Sequence, residues 1–257
     1  MKRNYLFLIF FLSIKAIPVQ SQDSNNFAIN FEVGSGIVMG ELNKNWNVRQ
    51  DVGSNYYYSD YNSNSLYTDM TIAYFGIKPE FTFAYNKIGV ITGLRFTRIN
   101  SNMAKYSASE GDYFYLLNKV DGNNTEYFRI NNISQDNDYL GFPFEIRYIF
   151  YQSRTFGLYF KAGTEINFKL NSKTDIQFLN EPMETYQNEI LENVGVTPNP
   201  IYSSVYSSIG IKIGKRNRVN YNFEIFLPSY IRTPDNSSIV VPNSYSGFQF
   251  SVQVPVK

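Results

Sequence analysis

From Leu140 to Phe150 the chain alternates strictly. Leu140, Phe142, Phe144, Ile146, Tyr148 and Phe150 fall on one parity, with Gly141, Pro143, Glu145, Arg147 and Ile149 between them. After a short polar turn at Gln152 to Arg154 the pattern resumes, with Phe156, Leu158, Phe160, Ala162, Ile166, Phe168 and Leu170 opposed to Gly157, Tyr159, Lys161, Gly163, Glu165, Asn167 and Lys169. A period of two over segments this long, joined by a tight turn, predicts paired antiparallel strands with chemically opposite faces.

The same signature recurs along the chain and predicts eight strands: 27–39, 74–85, 88–100, 140–150, 156–170, 201–214, 219–228 and 245–256. The connections alternate. Polar segments at 40–69, 101–137 and 171–200 and a shorter one around Pro234 follow the odd strands, while Asn86-Lys87, Gln152 to Arg154 and Lys215 to Arg218 turn the even ones. This is the expectation for an eight-stranded antiparallel up-and-down transmembrane β-barrel with long extracellular loops and short periplasmic turns.

Volume decides which face is inside. The strand glycines Gly34, Gly36, Gly76, Gly89, Gly93, Gly141, Gly157, Gly163, Gly210 and Gly247 all share the polar parity. Eight strands enclose a lumen just wide enough to be filled by side chains, so the parity that carries the small residues faces in. With the faces exchanged, the pattern would describe a soluble lipocalin-like binder of an apolar ligand.

The N-terminus changes the setting. Met1-Lys2-Arg3, an apolar run from Tyr5 to Ile14 and Val19-Gln20-Ser21 read as a secretory signal peptide over 1–21, leaving 22–257 as one outer-membrane barrel domain. Its removal takes away Lys2, Arg3 and Lys15 and no acid, turning a formal charge of +1 into −2. That balance argues against nucleic acid as a partner. The chain has neither Cys nor His. Disulfides, thiolate nucleophiles, imidazole-based catalysis and ordinary zinc sites are therefore excluded, and we expect neither an enzyme nor a cofactor or metal protein.

The polar parity collects Glu32, Lys78, Glu80, Arg95, Glu145, Arg147, Lys161, Glu165, Lys169, Lys212 and Glu224. Opposite charges in a narrow lumen should pair, because an unpaired buried charge costs several kcal/mol. The expectation is a plugged barrel, with a narrow channel or transport barrel as the alternative. Recognition would fall to the loops, where Trp46, Tyr56, Tyr57, Tyr58, Tyr61 and Tyr67 suit a protein or glycan partner or, equally, an interfacial belt in contact with outer-membrane lipid. Residues 181–194 read as a short helix opened by Pro182, its apolar side capping the mouth. Asp136-Asn137-Asp138 lacks the Gly and distal Glu of a calcium loop and reads as a solvated turn.

The signal peptide, Asp138-Tyr139-Leu140-Gly141-Phe142-Pro143-Phe144, the strand Leu158-Tyr159-Phe160-Lys161-Ala162-Gly163-Thr164-Glu165 and Ser208-Ile209-Gly210 resemble the PorT-like outer-membrane β-barrel family of Bacteroidetes-type bacteria. The resemblance implies a link to protein secretion as one option, while the residue inventory, the filled lumen and the loops lead us to expect a non-enzymatic surface binding or scaffold component. The resemblance supplies no catalytic motif.

Overall fold

A computed structural model describes residues 27–43, 48–49, 66–84, 86–105, 113–121, 124–194, 198, 200–215, 218–233 and 238–256. The expected signal peptide lies outside the described residues, as do Trp46, Tyr56, Tyr57, Tyr58 and Tyr61.

The described strands are β1 (Phe27–Leu42), β2 (Val48–Arg49), β3 (Leu66–Phe83), β4 (Ile88–Thr92), β5 (Leu94–Lys105), β6 (Phe114–Asp121), β7 (Asn124–Gln152), β8 (Phe156–Phe178), β9 (Ile201–Ile213), β10 (Asn220–Arg232) and β11 (Val240–Pro255). A 3-10 turn, Glu181–Tyr186, runs into the helix α1, Gln187–Val194, where the sequence predicts a helix. All strand pairings are antiparallel. They run from β1 through β3, then β4 and β5, to β7, β8, β9, β10 and β11, and β11 pairs back with β1. The sheet is thus a closed ring, which leaves no edge in the circuit.

β4 and β5 share one place in that ring, both between β3 and β7, and Gly93 divides them. Its φ is +150°, and a Cβ there would lie 2.3 Å from the Ile77 carbonyl oxygen. Only glycine fits both the dihedral and the space.

One end of the ring holds the short turns and the ends of β1 and β11. Toward the other end the structure corrects the sequence reading. The supposed loops at 40–69, 101–137 and 171–200 are partly strand: β3 starts at Leu66, β6 covers 114–121 and the first half of β7 covers 124–137, and β8 continues to Phe178. β-Bulges explain why the pattern was missed. Register shifts at Ile130/Asn132 and Asp138/Tyr139 break the β7–β8 pairing into pieces, and each extra residue swaps parity on its strand.

On β8 the inward residues are odd up to Lys169 and even from Ser172 onward, which brings Ile176 and Phe178 inside. They join Met70, Ile72, Ile99, Met103, Phe114, Leu116, Phe128, Ile130, Ile133 and Ile239 in a buried apolar cluster. Ile190 of α1 is 1% exposed in the same cluster, with Met183 and Leu191 packed against it. The helix covers this cluster, as its apolar side predicts. The molecule therefore has two cores in series, a polar one within the ring and an apolar one beyond it.

Candidate functional site: a closed charged lumen

The lumen is built from cross-strand pairs of unequal size. Tyr74 stands opposite Gly34, Tyr159 opposite Gly210, Tyr206 opposite Gly163 and Phe226 opposite Gly247. Arg95 faces Gly76 on one side and Gly141 on the other, and Arg147 faces Gly89. A Cβ at Gly34 would lie 2.2 Å from the Tyr74 ring, and one at Gly141 would run into the Glu165 carboxylate. These glycines stand where large inward side chains lie, which accounts for their shared parity.

Arg95 is the centre of the network. Its Nε donates to Glu32 Oε1 at 2.7 Å, its Nη1 donates to Glu165, and its Nη2 donates to Glu145 Oε1 at 3.3 Å. Tyr74 and Tyr206 flank the guanidinium, with ring centroids 4.5 and 5.6 Å from Cζ. Lys78 bridges Glu32 and Glu145, the latter at 2.7 Å. Lys161 holds Glu224 at 2.5 Å and Glu145 at 3.5 Å.

Neutral groups complete the shell. Tyr206 donates to Glu145 at 2.7 Å, and Tyr159, Ser208 and Gln249 donate to Glu224 at 2.9, 2.9 and 3.1 Å. Nearer the turn end, Arg147 pairs with Glu80, which also accepts from Asn30 at 3.0 Å and Gln253 at 2.6 Å. Side chains as polar as Glu80 and Glu145 are 0% exposed here. Such burial is tolerable only because each carboxylate is both ion-paired and hydrogen-bonded.

Nine of the eleven predicted lumen residues are brought into this network. Two are not. Lys169 lies toward the loop end and donates to the Pro198 carbonyl at 2.7 Å. Lys212 faces the lumen near the turns and makes no ion pair or hydrogen bond among the described residues. Of the loop aromatics, only Tyr67 falls on a described strand, β3, through its backbone. The lumen set read from the sequence holds only charged residues and leaves out Tyr74, Tyr206, Gln249, Asn30 and Gln253. Their signal was present: each sits on the glycine-rich parity of its strand.

The network leaves almost no room. A cavity of about 10 Å³ between Arg95, Glu165, Tyr202 and Tyr245 is on the scale of a single water molecule. Among the described residues there is no group of three or more acids that could hold a metal ion.

The exterior is the reverse. Phe31, Val33, Ile37, Phe75, Ile77, Phe144, Ile146, Phe150, Ile209, Phe223, Ile225 and Phe248 all lie outward and exposed. Aromatic pairs cross the strands on this face, Phe75 with Phe96 at 5.2 Å and Phe223 with Phe250 at 5.0 Å between centroids. No helix among the described residues is long and apolar enough to cross a membrane, which bears only on helical spans.

No family model matches the chain, and neither does any curated protein. Among solved structures it is similar to the outer membrane protein OprG from Pseudomonas aeruginosa, at 10% identity over 92% of this chain and 96% of that one, with a TM-score of 0.37. It is also similar to Ail, the attachment invasion locus protein of Yersinia pestis, whose structure is a complex with the heparin analogue sucrose octasulfate. There the identity is 12%, over 89% of this chain and 96% of that one, with a TM-score of 0.31. At these scores the likeness carries no inference, and the reading below rests on the chain's own geometry.

Proposed function

We propose that the chain is a small outer-membrane β-barrel of eight strand positions, with a lumen sealed by its own ion pairs, that acts without catalysis as a surface binding protein through the extension beyond the ring. The observation that carries the reading is the inversion of faces around the ring. Charged side chains fill the inside while a continuous apolar belt covers the outside, and soluble monomers rarely expose apolar patches beyond a few hundred Å². A closed ring with an apolar exterior meets the two demands of a lipid-spanning sheet, paired backbone and an oily surface.

The sealed lumen argues for binding over transport. Arg95, Lys78 and Lys161 are tied to four carboxylates across the bore, so an ion would have to displace them to pass. The strand extension, carrying the apolar cluster and α1, is then the part that meets other molecules, and proteins or glycans are the partner classes its polar outer face suits.

The test is conductance in a planar bilayer, with heat-dependent gel mobility as the check that the inserted chain is folded. The expected result is a heat-shifted band and no current above baseline. A steady current that changes in Glu145→Gln would replace binding with transport. A chain that stays monodisperse without detergent would overturn the membrane reading.

A further inference from the structure

At the turn end the lumen does not close flush. A cavity of about 340 Å³ opens between the β3–β4, β7–β8 and β9–β10 turns and the ends of β1 and β11. That is within the range of small-molecule sites. Its charged lining is Lys212 and Arg154, and no carboxylate among the described residues lines it.

Lys212 differs from the four cations of the network. Lys78, Arg95, Arg147 and Lys161 each hold at least one carboxylate. Lys212 is half-buried and holds none among the described residues. The charges that act on it are Arg147, which is like-signed, and Glu80, which is already engaged by Arg147, Asn30 and Gln253. The local balance is positive. Uncharged hydrogen-bonding groups of Gln152, Ser153 and Asn220 complete the wall, and Lys87, Lys215 and Arg218 lie on the adjacent turns without an acid. A partly desolvated ammonium that no carboxylate pairs among the described residues, in a cavity of this size, is incomplete in a specific way: it is short of an anion.

We infer that this cavity binds a small oxyanion, a phosphate or carboxylate group held by Lys212, with Arg154 at the rim. The site goes beyond the surface role proposed above, since it lies at the opposite end of the ring and uses none of the strand extension. The bound group has two sources, a free solute or a lipid headgroup. Both present the same oxygens to the same cations.

The test follows backbone amide shifts of the isotope-labelled full chain, whose folding is checked by gel mobility, while inorganic phosphate and, separately, citrate are titrated in. It is run in discs of phosphatidylcholine alone and in discs containing phosphatidylglycerol. The expected result is a saturable shift at residues around the cavity, Gly157 and Gly214 among them, with affinity lowered roughly ten-fold or more in Lys212→Gln and less in Arg154→Gln. Binding of solute in both discs identifies a free anion. Cavity shifts caused by phosphatidylglycerol itself, with solute binding blocked, identify a headgroup. No saturable shift from solute or lipid, or shifts of unchanged affinity in folded Lys212→Gln, would overturn the proposal.

Discussion

The two cores of this chain obey opposite rules although the same strands build both. Within the ring, β7 turns Glu145 and Arg147 inward and Phe144 and Ile146 outward. Some fifteen residues earlier on the same strand it turns Phe128, Ile130 and Ile133 inward and leaves Tyr127 and Arg129 exposed. The extension is therefore an ordinary globular core, apolar inside and polar outside, and the ring is its inverse. Strand geometry is indifferent to which side is oily, so the surroundings of each region decide which face the sequence makes apolar.

The largest effect expected is at the centre of the polar core. Arg95→Met removes one of the two cations on Glu32 and the ion-pair partner of Glu165 while the carboxylates stay buried, and breaking a buried ion pair from one side costs about 3–5 kcal/mol. Urea titration of the folded fraction, read by heat-dependent gel mobility in detergent, should show the whole ring weakened. A variant as stable as the parent would mean that the network is not a core at all.

In the apolar core the damage should stay local. Ile130 is 0% exposed, stands opposite Phe114 and Phe178, and as alanine should cost about 2–5 kcal/mol. Hydrogen exchange should then speed up in β6 and in residues 128–133 while 140–150 keep their protection. Equal loss in both regions would show that the two cores unfold as one.

The outer belt separates the readings again. Ile146 is 48% exposed, so in a water-facing protein Ile146→Arg would change stability by less than about 0.5 kcal/mol. Facing the middle of a bilayer, it should cost about 2–4 kcal/mol. The measurement is folding free energy in lipid vesicles, and a neutral outcome would remove the bilayer from the outside of the ring.

What was legible in the sequence follows the same division. In the ring, alternation and glycine placement are uninterrupted, so Glu145, Arg147, Lys161 and Glu165 could be assigned to one face from their numbers alone. The glycine parity indicated even the side on which the large residues would lie. Beyond the ring, bulges at residues 130–132 and near Asp138 reset the parity, and scattered Ile and Phe among Asn, Gln and Ser read as loop. Only contact across strands reveals that Phe128, Ile133 and Ile176 form one cluster. Lys169 and Lys212 share the polar parity but lie beyond reach of the carboxylates, one toward each end, because parity gives the face of a residue and not its height.

Height also orders the smallest effects, those of adding a single methyl group inside the lumen. A Cβ at Gly210 would lie 2.3 Å from the Tyr159 ring, which in turn holds Glu224 through its hydroxyl at 2.9 Å. Gly210→Ala must push the ring off that bond, and overpacking of this kind costs about 1–3 kcal/mol. At Gly157, beside the open cavity, the nearest atom to an added Cβ is 3.5 Å away, so Gly157→Ala should be neutral, or stabilising by about 0.4–1 kcal/mol through the unfolded chain. Both glycines share one face and differ in what stands opposite. If the two variants proved equally costly in the same urea titration, backbone freedom and not lumen volume would be the reason for glycine on that face, and the assignment of the inside from residue size would lose its physical basis.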